Sequence, residues 1–208
     1  MGYGKMRPVA SFTGAAAATT AAVVFDDYAD WDDLDENASG NWRRTGTGTP
    51  VLDDGALVVN NAVARRNIPA NTSGIFEIDV MAGSENEQTA IALAGGSGTG
   101  TDRIRWVLDS DGALKALSGT TLAATGASYA ANQWYHLKIQ WGGSTWWAHV
   151  DGVRYPASGT YAMRSGGNIN QVKLSNGASS ASASFDNLRA WPQDAQPAAM
   201  TTWDPVTL

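Results

Sequence analysis

The chain has 208 residues, of which 16% are charged, with 23 Gly, nine Trp and no Cys. The lack of cysteine excludes a disulfide framework and a thiolate metal site, and a glycine-rich, aromatic-rich, charge-poor balance suits short strands joined by turns better than helices. The net charge of −6 is local: seven acidic side chains lie between Phe25 and Glu36, leaving thirteen acidic and fourteen basic elsewhere, so no basic stripe marks nucleic acid as a partner.

Residues 1–24 read as an N-terminal arm. Lys5 and Arg7 precede Pro8, and Val9 to Val24 is mostly Ala, Thr and Gly. The stretch imitates a signal peptide, but it holds no Leu or Ile and is broken by Thr13, Gly14, Thr19 and Thr20. An arm of this composition is expected to lie on another subunit or on its own domain, with Tyr3, Lys5, Arg7 and Phe12 as its contact residues. No apolar run reaches the roughly 18 residues that a membrane span requires.

From residue 25 the chain runs as short apolar segments between turns. Asp53-Asp54-Gly55 leads into a strand at 56–59, and 63–68 continues to a stop at Pro69. In 75–81 the alternation turns Phe76, Ile78 and Val80 inward. A buried strand at 90–94 precedes the glycine-rich stretch 95–100, which has no strand-to-helix setting for a phosphate loop. Strands follow at 103–109 and 113–117, then at 168–174 and 184–190, for about ten or eleven strands at sandwich spacing. Beyond residue 191, three Pro and a lone Trp203 mark a tail, 192–208, that is disordered or docked on a neighbour.

The best-specified hairpin is Asn132 to Tyr155. Period two places Tyr135, Leu137, Ile139 and Trp141 on one face of its first strand, and Trp134, His136, Lys138 and Gln140 on the other. Trp146, Ala148 and Val150 repeat the inward set, with Trp147 and His149 outward. Gly142 to Thr145 closes the hairpin, and Asp151-Gly152 supplies the next tight turn.

Trp134-Tyr135-His136, the strand from Trp147 to Val150 and the Asp151-Gly152 turn together resemble the laminin-G-like and concanavalin A-like jelly-roll domains. Phe25-Asp26-Asp27-Tyr28 and Ser184-Phe185-Asp186-Asn187-Leu188-Arg189 add to the resemblance, which covers roughly residues 25–191. It implies an all-β, two-sheet antiparallel sandwich in which the first and last strands sit together. It says little of function, because one sandwich hosts lectins, hydrolases and structural modules.

Phe76-Glu77-Ile78-Asp79-Val80-Met81 resembles the acidic strand of the related β-glucanases. Glu77 matches the nucleophile and Asp79 the middle residue, but Met81 stands where the acid/base Glu is required. Glu85 and Glu87 fall in what reads as a loop. No Ser-His-Asp arrangement or dinucleotide fingerprint is present, and the chain is expected to be no enzyme.

The hairpin's outer face, with Trp134, His136, Trp147 and His149, is the expected glycan platform, since aromatic rings cover the apolar faces of sugars. Two imidazoles alone make an incomplete transition-metal site. No cofactor is expected beyond a calcium ion at Asp102, Asp109 and Asp111, which no EF-hand spacing supports. The leading expectation is a structural or adhesive, homo-oligomeric subunit of a virion, fastened to the other subunits by its arms and binding surface glycans. The alternative is a secreted carbohydrate-binding module related to β-glucanases.

Overall fold

The computed structural model describes residues 24–26, 42–97, 100–177 and 180–192, with only the backbone of 24–26 and 191–192. The described residues form sixteen strands and no helix. The strands are β1 (Val24–Asp26), β2 (Arg43–Gly46), β3 (Val51–Asp53), β4 (Ala56–Val59), β5 (Ala62–Asn71), β6 (Ser73–Ala82), β7 (Thr89–Gly95), β8 (Thr101–Leu108) and β9 (Ala113–Ser118). The second half adds β10 (Thr121–Ser128), β11 (Trp134–Gly142), β12 (Thr145–Val150), β13 (Val153–Tyr155), β14 (Tyr161–Ala162), β15 (Ile169–Asn176) and β16 (Ala183–Pro192). All pairings are antiparallel. Sheet A has the order β13-β12-β11-β6-β16-β4-β3, with β1 on β16 and β14 on β12; sheet B has the order β10-β9-β8-β7-β15-β5-β2. The two face each other as a jelly-roll sandwich.

The alternation read from the sequence is what closes the sandwich. Phe76, Ile78 and Val80 of β6, Leu137, Ile139 and Trp141 of β11, and Trp146, Ala148 and Val150 of β12 are all buried in one core. Across from them lie Ile91, Leu93, Ile104, Trp106, Val172 and Leu174 of sheet B. Burial of this aromatic and aliphatic surface, at about 25 cal/mol per Å², is the main stabilising term. Trp146 also crosses the layer: its Nε1 donates to the Leu117 carbonyl at 3.0 Å, satisfying the indole N–H in the core. The Asp54-Gly55 and Asp151-Gly152 pairs both take positive φ, the two-residue turn whose twist matches that of the flanking strands.

The first and last strands do sit together, with Val24 opposite Ala190 and Asp26 opposite Leu188. Glu87, in the segment between β6 and β7, is buried and clasps the chain ahead of β16. It accepts from the Ala181 N–H at 3.1 Å and from the Ser180 N–H at 3.3 Å, and the Ser180 hydroxyl donates to it as well. Glu85 accepts from the Ala131 N–H at 3.1 Å.

Two expectations are corrected. β5 does not stop at Pro69 but runs on to Asn71. The register against β15 shifts between Gln171 and Ile169, so Pro69 lies at an irregularity where its missing N–H breaks no regular ladder. The strand count was also too low, because β2, β3, β10, β13 and β14 are short or lie at sheet margins and carry no buried alternation.

Candidate functional site

The outer face of sheet A carries the residues singled out in the sequence. Its register sets His136 opposite Asp79 and Lys138 opposite Glu77. The His136 Nδ1–H donates to Asp79 Oδ1 at 2.7 Å, and Asn187 Nδ2 donates to Asp79 Oδ2 at 2.7 Å. Lys138 pairs with Glu77 at 3.2 Å. Both carboxylates of the acidic strand thus hold polar partners, and Met81 lies opposite Trp134 at the strand's end.

The four platform residues share this face but do not form one patch. His149 lies opposite Lys138, so it is diagonal to His136 and not its direct neighbour. Its Nδ1 is buried with no hydrogen-bond partner. Burial first, then the nearby Lys138 and Arg154 charges, hold its imidazole pKa below the ordinary value. Trp147 lies opposite Gln140, to which its Nε1 donates at 3.1 Å. The Arg154 guanidinium lies 5.8 Å over its ring and is tied to the carbonyls of Pro156 and Gly159. Trp134, 43% exposed, is six positions from Gln140 along β11, about 20 Å at strand rise. The two tryptophans therefore mark opposite ends of the strand.

The outer face of sheet B holds a feature that the sequence reading missed. Two adjoining clefts, of about 250 and 320 Å³, share Thr45, Val63, Arg105 and Ser175 in their linings. Their floor follows from composition: β7 reads TAIALAG and is buried along its whole length. Ala90 and Ala92, the outward residues of β7, are too small to rise between the longer side chains around them. Register then builds two rows across five strands. One runs Arg43, Arg65, Lys173, Ala92, Arg105, and the next Thr45, Val63, Ser175, Ala90, Val107.

The long side chains of the groove are held in place. Lys173 Nζ pairs with Asp102 Oδ1 at 2.7 Å and donates to the Gly100 carbonyl at 3.0 Å. Arg105 Nη2 donates to Gln88 Oε1 at 2.8 Å, and Gln88 Nε2 donates in turn to Asp109 Oδ1 at 2.7 Å. The Lys115 ammonium beside Asp109, and then the Gln88 amide, hold that carboxyl below its ordinary pKa. The sequence places strands at 63–68 and 168–174 but assigns no faces to their polar residues. Nor does it show that they meet, since Asn67 and Gln171, bonded at 3.2 Å, lie 104 positions apart.

The three aspartates considered for calcium are each engaged by a lysine. Lys115 bridges Asp109 and Asp111, while Asp102 belongs to Lys173. Among the described residues no three His, Asp or Glu side chains converge as metal ligands. Tyr3, Lys5, Arg7, Phe12 and Trp203, the expected arm contacts, lie outside the described residues.

The fold is a two-sheet antiparallel sandwich, and comparison with solved structures agrees with that architecture. A chain described as a sialidase matches with a TM-score of 0.66 at 17% identity over 83% of this chain. A Trypanosoma rangeli sialidase matches at 0.56 and 14% over 76%. The carbohydrate binding module CBM66 from Bacillus subtilis matches at 0.51 and 13%, over 74% of this chain and 96% of its own. The chain spans 19% of the first sialidase and 29% of the Trypanosoma enzyme. At these identities the likeness is one of fold. No family model matches, and no curated protein matches by sequence.

These comparisons correct the expectation that the chain is no enzyme. The same sandwich is built into sialidase chains several times its length, so the missing third carboxylate of the glucanase-like strand does not place it outside carbohydrate-active enzymes. The physical reason is modularity: a motif search reads only the chemistry of one fold, and one fold serves many sites.

Proposed function

We propose that this domain binds glycans and that the groove on the outer face of sheet B is where the saccharide lies. The observation that carries the reading is the groove itself. It is a recess on a sheet, floored by small residues and lined by hydroxyl, amide and charged groups from β2, β5, β8, β15 and the adjoining loops. Sugars present hydroxyls around weakly apolar rings, and a shallow recess with Val63 and Ala92 beneath and Thr45, Gln88, Ser175 and Asn176 around it offers both kinds of contact. The likeness in fold to a module described as carbohydrate-binding supports this reading.

The test is a glycan array probed with the full chain, beside Thr45→Trp, which fills the recess from the exposed strand β2, and Trp147→Ala on the opposite sheet. Thr45→Trp is expected to abolish binding with the melting temperature kept, and Trp147→Ala to leave binding unchanged. The reverse pattern would move the site to the hairpin face. No binding to any glycan would sink the proposal.

A further inference from the structure

The outer face of sheet A carries a row of largely apolar side chains that the glycan-binding reading does not use. Trp134 stands opposite Met81, Met81 opposite Ser184, Ser184 opposite Val58, and Val58 opposite Val51. These are outward positions, since Val80, Leu57 and Phe185, each one residue away along its strand, are buried in the core. The row crosses β11, β6, β16, β4 and β3, a span of about 19 Å at the spacing of strands in a sheet. Its two ends, Trp134 and Val51, are 43% and 48% exposed, and an apolar row of this length open to water marks an interaction surface. Two positions along each strand the character changes. On one side His136 stands opposite Asp79, Asp79 opposite Asp186, and Ala56 opposite Asp53, a row of three carboxylates with no Lys or Arg in it. Asp79 is held by His136 and Asn187, and Asp53 is exposed at the sheet margin. On the other side the corresponding residues are Asn132, Gly83, Ser182, Asn60 and Thr49, none of them charged.

We propose that this row seats an amphipathic helix of a partner protein, one with an apolar stripe and with Lys or Arg along a single flank. Pitch selects a helix. A helix stripe presents a side chain about every 5.4 Å, close to the roughly 4.8 Å between neighbouring strands, so successive turns meet successive side chains of the row. An extended chain repeats a face about every 6.7 Å and falls out of step after two strands. A span of about 19 Å takes about 13 helical residues. Charge selects the flank: Asp53, Asp79 and Asp186 favour cations on one side, and the uncharged border on the other asks for none. This asymmetry fixes which way the helix runs. It also weighs against a second copy as the occupant, because the chain carries a net charge of −6.

The test is fluorescence anisotropy on the full chain with two labelled peptides of about 18 residues, long enough to span the row, that share one Leu stripe at helical spacing and carry either Lys or Glu along the same flank. The Lys peptide is expected to bind about tenfold or more tightly than the Glu peptide, and that margin to shrink at about 0.5 M salt. Met81→Thr with Val58→Thr, both compatible with a strand, should weaken the binding of the Lys peptide. Asp53→Asn with Asp186→Asn should erase the difference between the two peptides. A cooperative thermal melt of each double variant shows that the sandwich is intact. Equal affinity for both peptides, no binding by either, or binding unchanged by both double variants would overturn the proposal. So would a dimer, seen by sedimentation, that Met81→Thr with Val58→Thr dissociates, which would make a second copy the occupant. Loss of glycan binding in Trp134→Ala would make the occupant a sugar and overturn it equally.

Discussion

Tyr129 shows what a single polar group does in this fold. It is buried, and its hydroxyl donates to the Asp109 carbonyl at 2.9 Å, holding the chain ahead of β11 to the end of β8. Burial first, and then the charges of Glu85, Asp109 and Asp111, push its pKa up to about 12. The fold therefore favours the neutral phenol, and its contribution to stability is intact below the phenol's ordinary value of about 10. It declines as pH rises through about 12. Tyrosinate absorbance should show a late-titrating phenol that is lost in Tyr129→Phe, and denaturant midpoints should fall between pH 10 and 12, a part of the profile that the same variant should flatten. At this scale the sequence was a good guide to which side chains point outward and a poor one to partners. His136 and Asp79 could each be placed on an outer face, but their contact depends on β6 pairing with β11, which no local pattern states.

Among the elements, the turns and close approaches separate two reasons for glycine. Gly55 takes a φ of +80° with nothing near the position of a Cβ, whereas a Cβ on Gly48 would lie 1.7 Å from the Asn60 carbonyl oxygen. The first is a conformational demand, which Asn also meets; the second is a steric one, which no side chain meets. Gly55→Asn should be nearly neutral in thermal melts, while Gly48→Ala should destabilise by about 1–3 kcal/mol, as overpacking does. The same distinction explains what was legible. β6, β11 and β12 declare themselves because each buries alternate large residues. β10, TLAATGAS at the margin of sheet B, buries none fully and is a strand only because β9 offers it a ladder. The groove was missed for a related reason: its floor is alanine, and alanine in a buried strand reads as core on both faces.

For the molecule as a whole, the order of strands matters more than their number. β16, last in the chain among the described strands, lies inside sheet A between β6 and β4 and also receives β1. Sheet B is closed in a similar way by β15 between β5 and β7. A topology dominated by such distant pairings folds in about milliseconds to seconds. A chain ending at Ser182 should show no cooperative unfolding by tryptophan fluorescence, in contrast to point variants in the groove, which leave every ladder intact. A cooperative melt in the shortened chain would refute this account of the fold.

The central position of β16 also bears on synthesis. β6 emerges from the ribosome on the order of a hundred residues before the strand that must pair with it, an interval of about 5–20 s at ordinary elongation rates. Throughout that time the inner edges of β6 and β4 stand open. A translation product stalled within this interval would display two apolar strand edges and present itself to chaperones and proteases as an unfinished sheet.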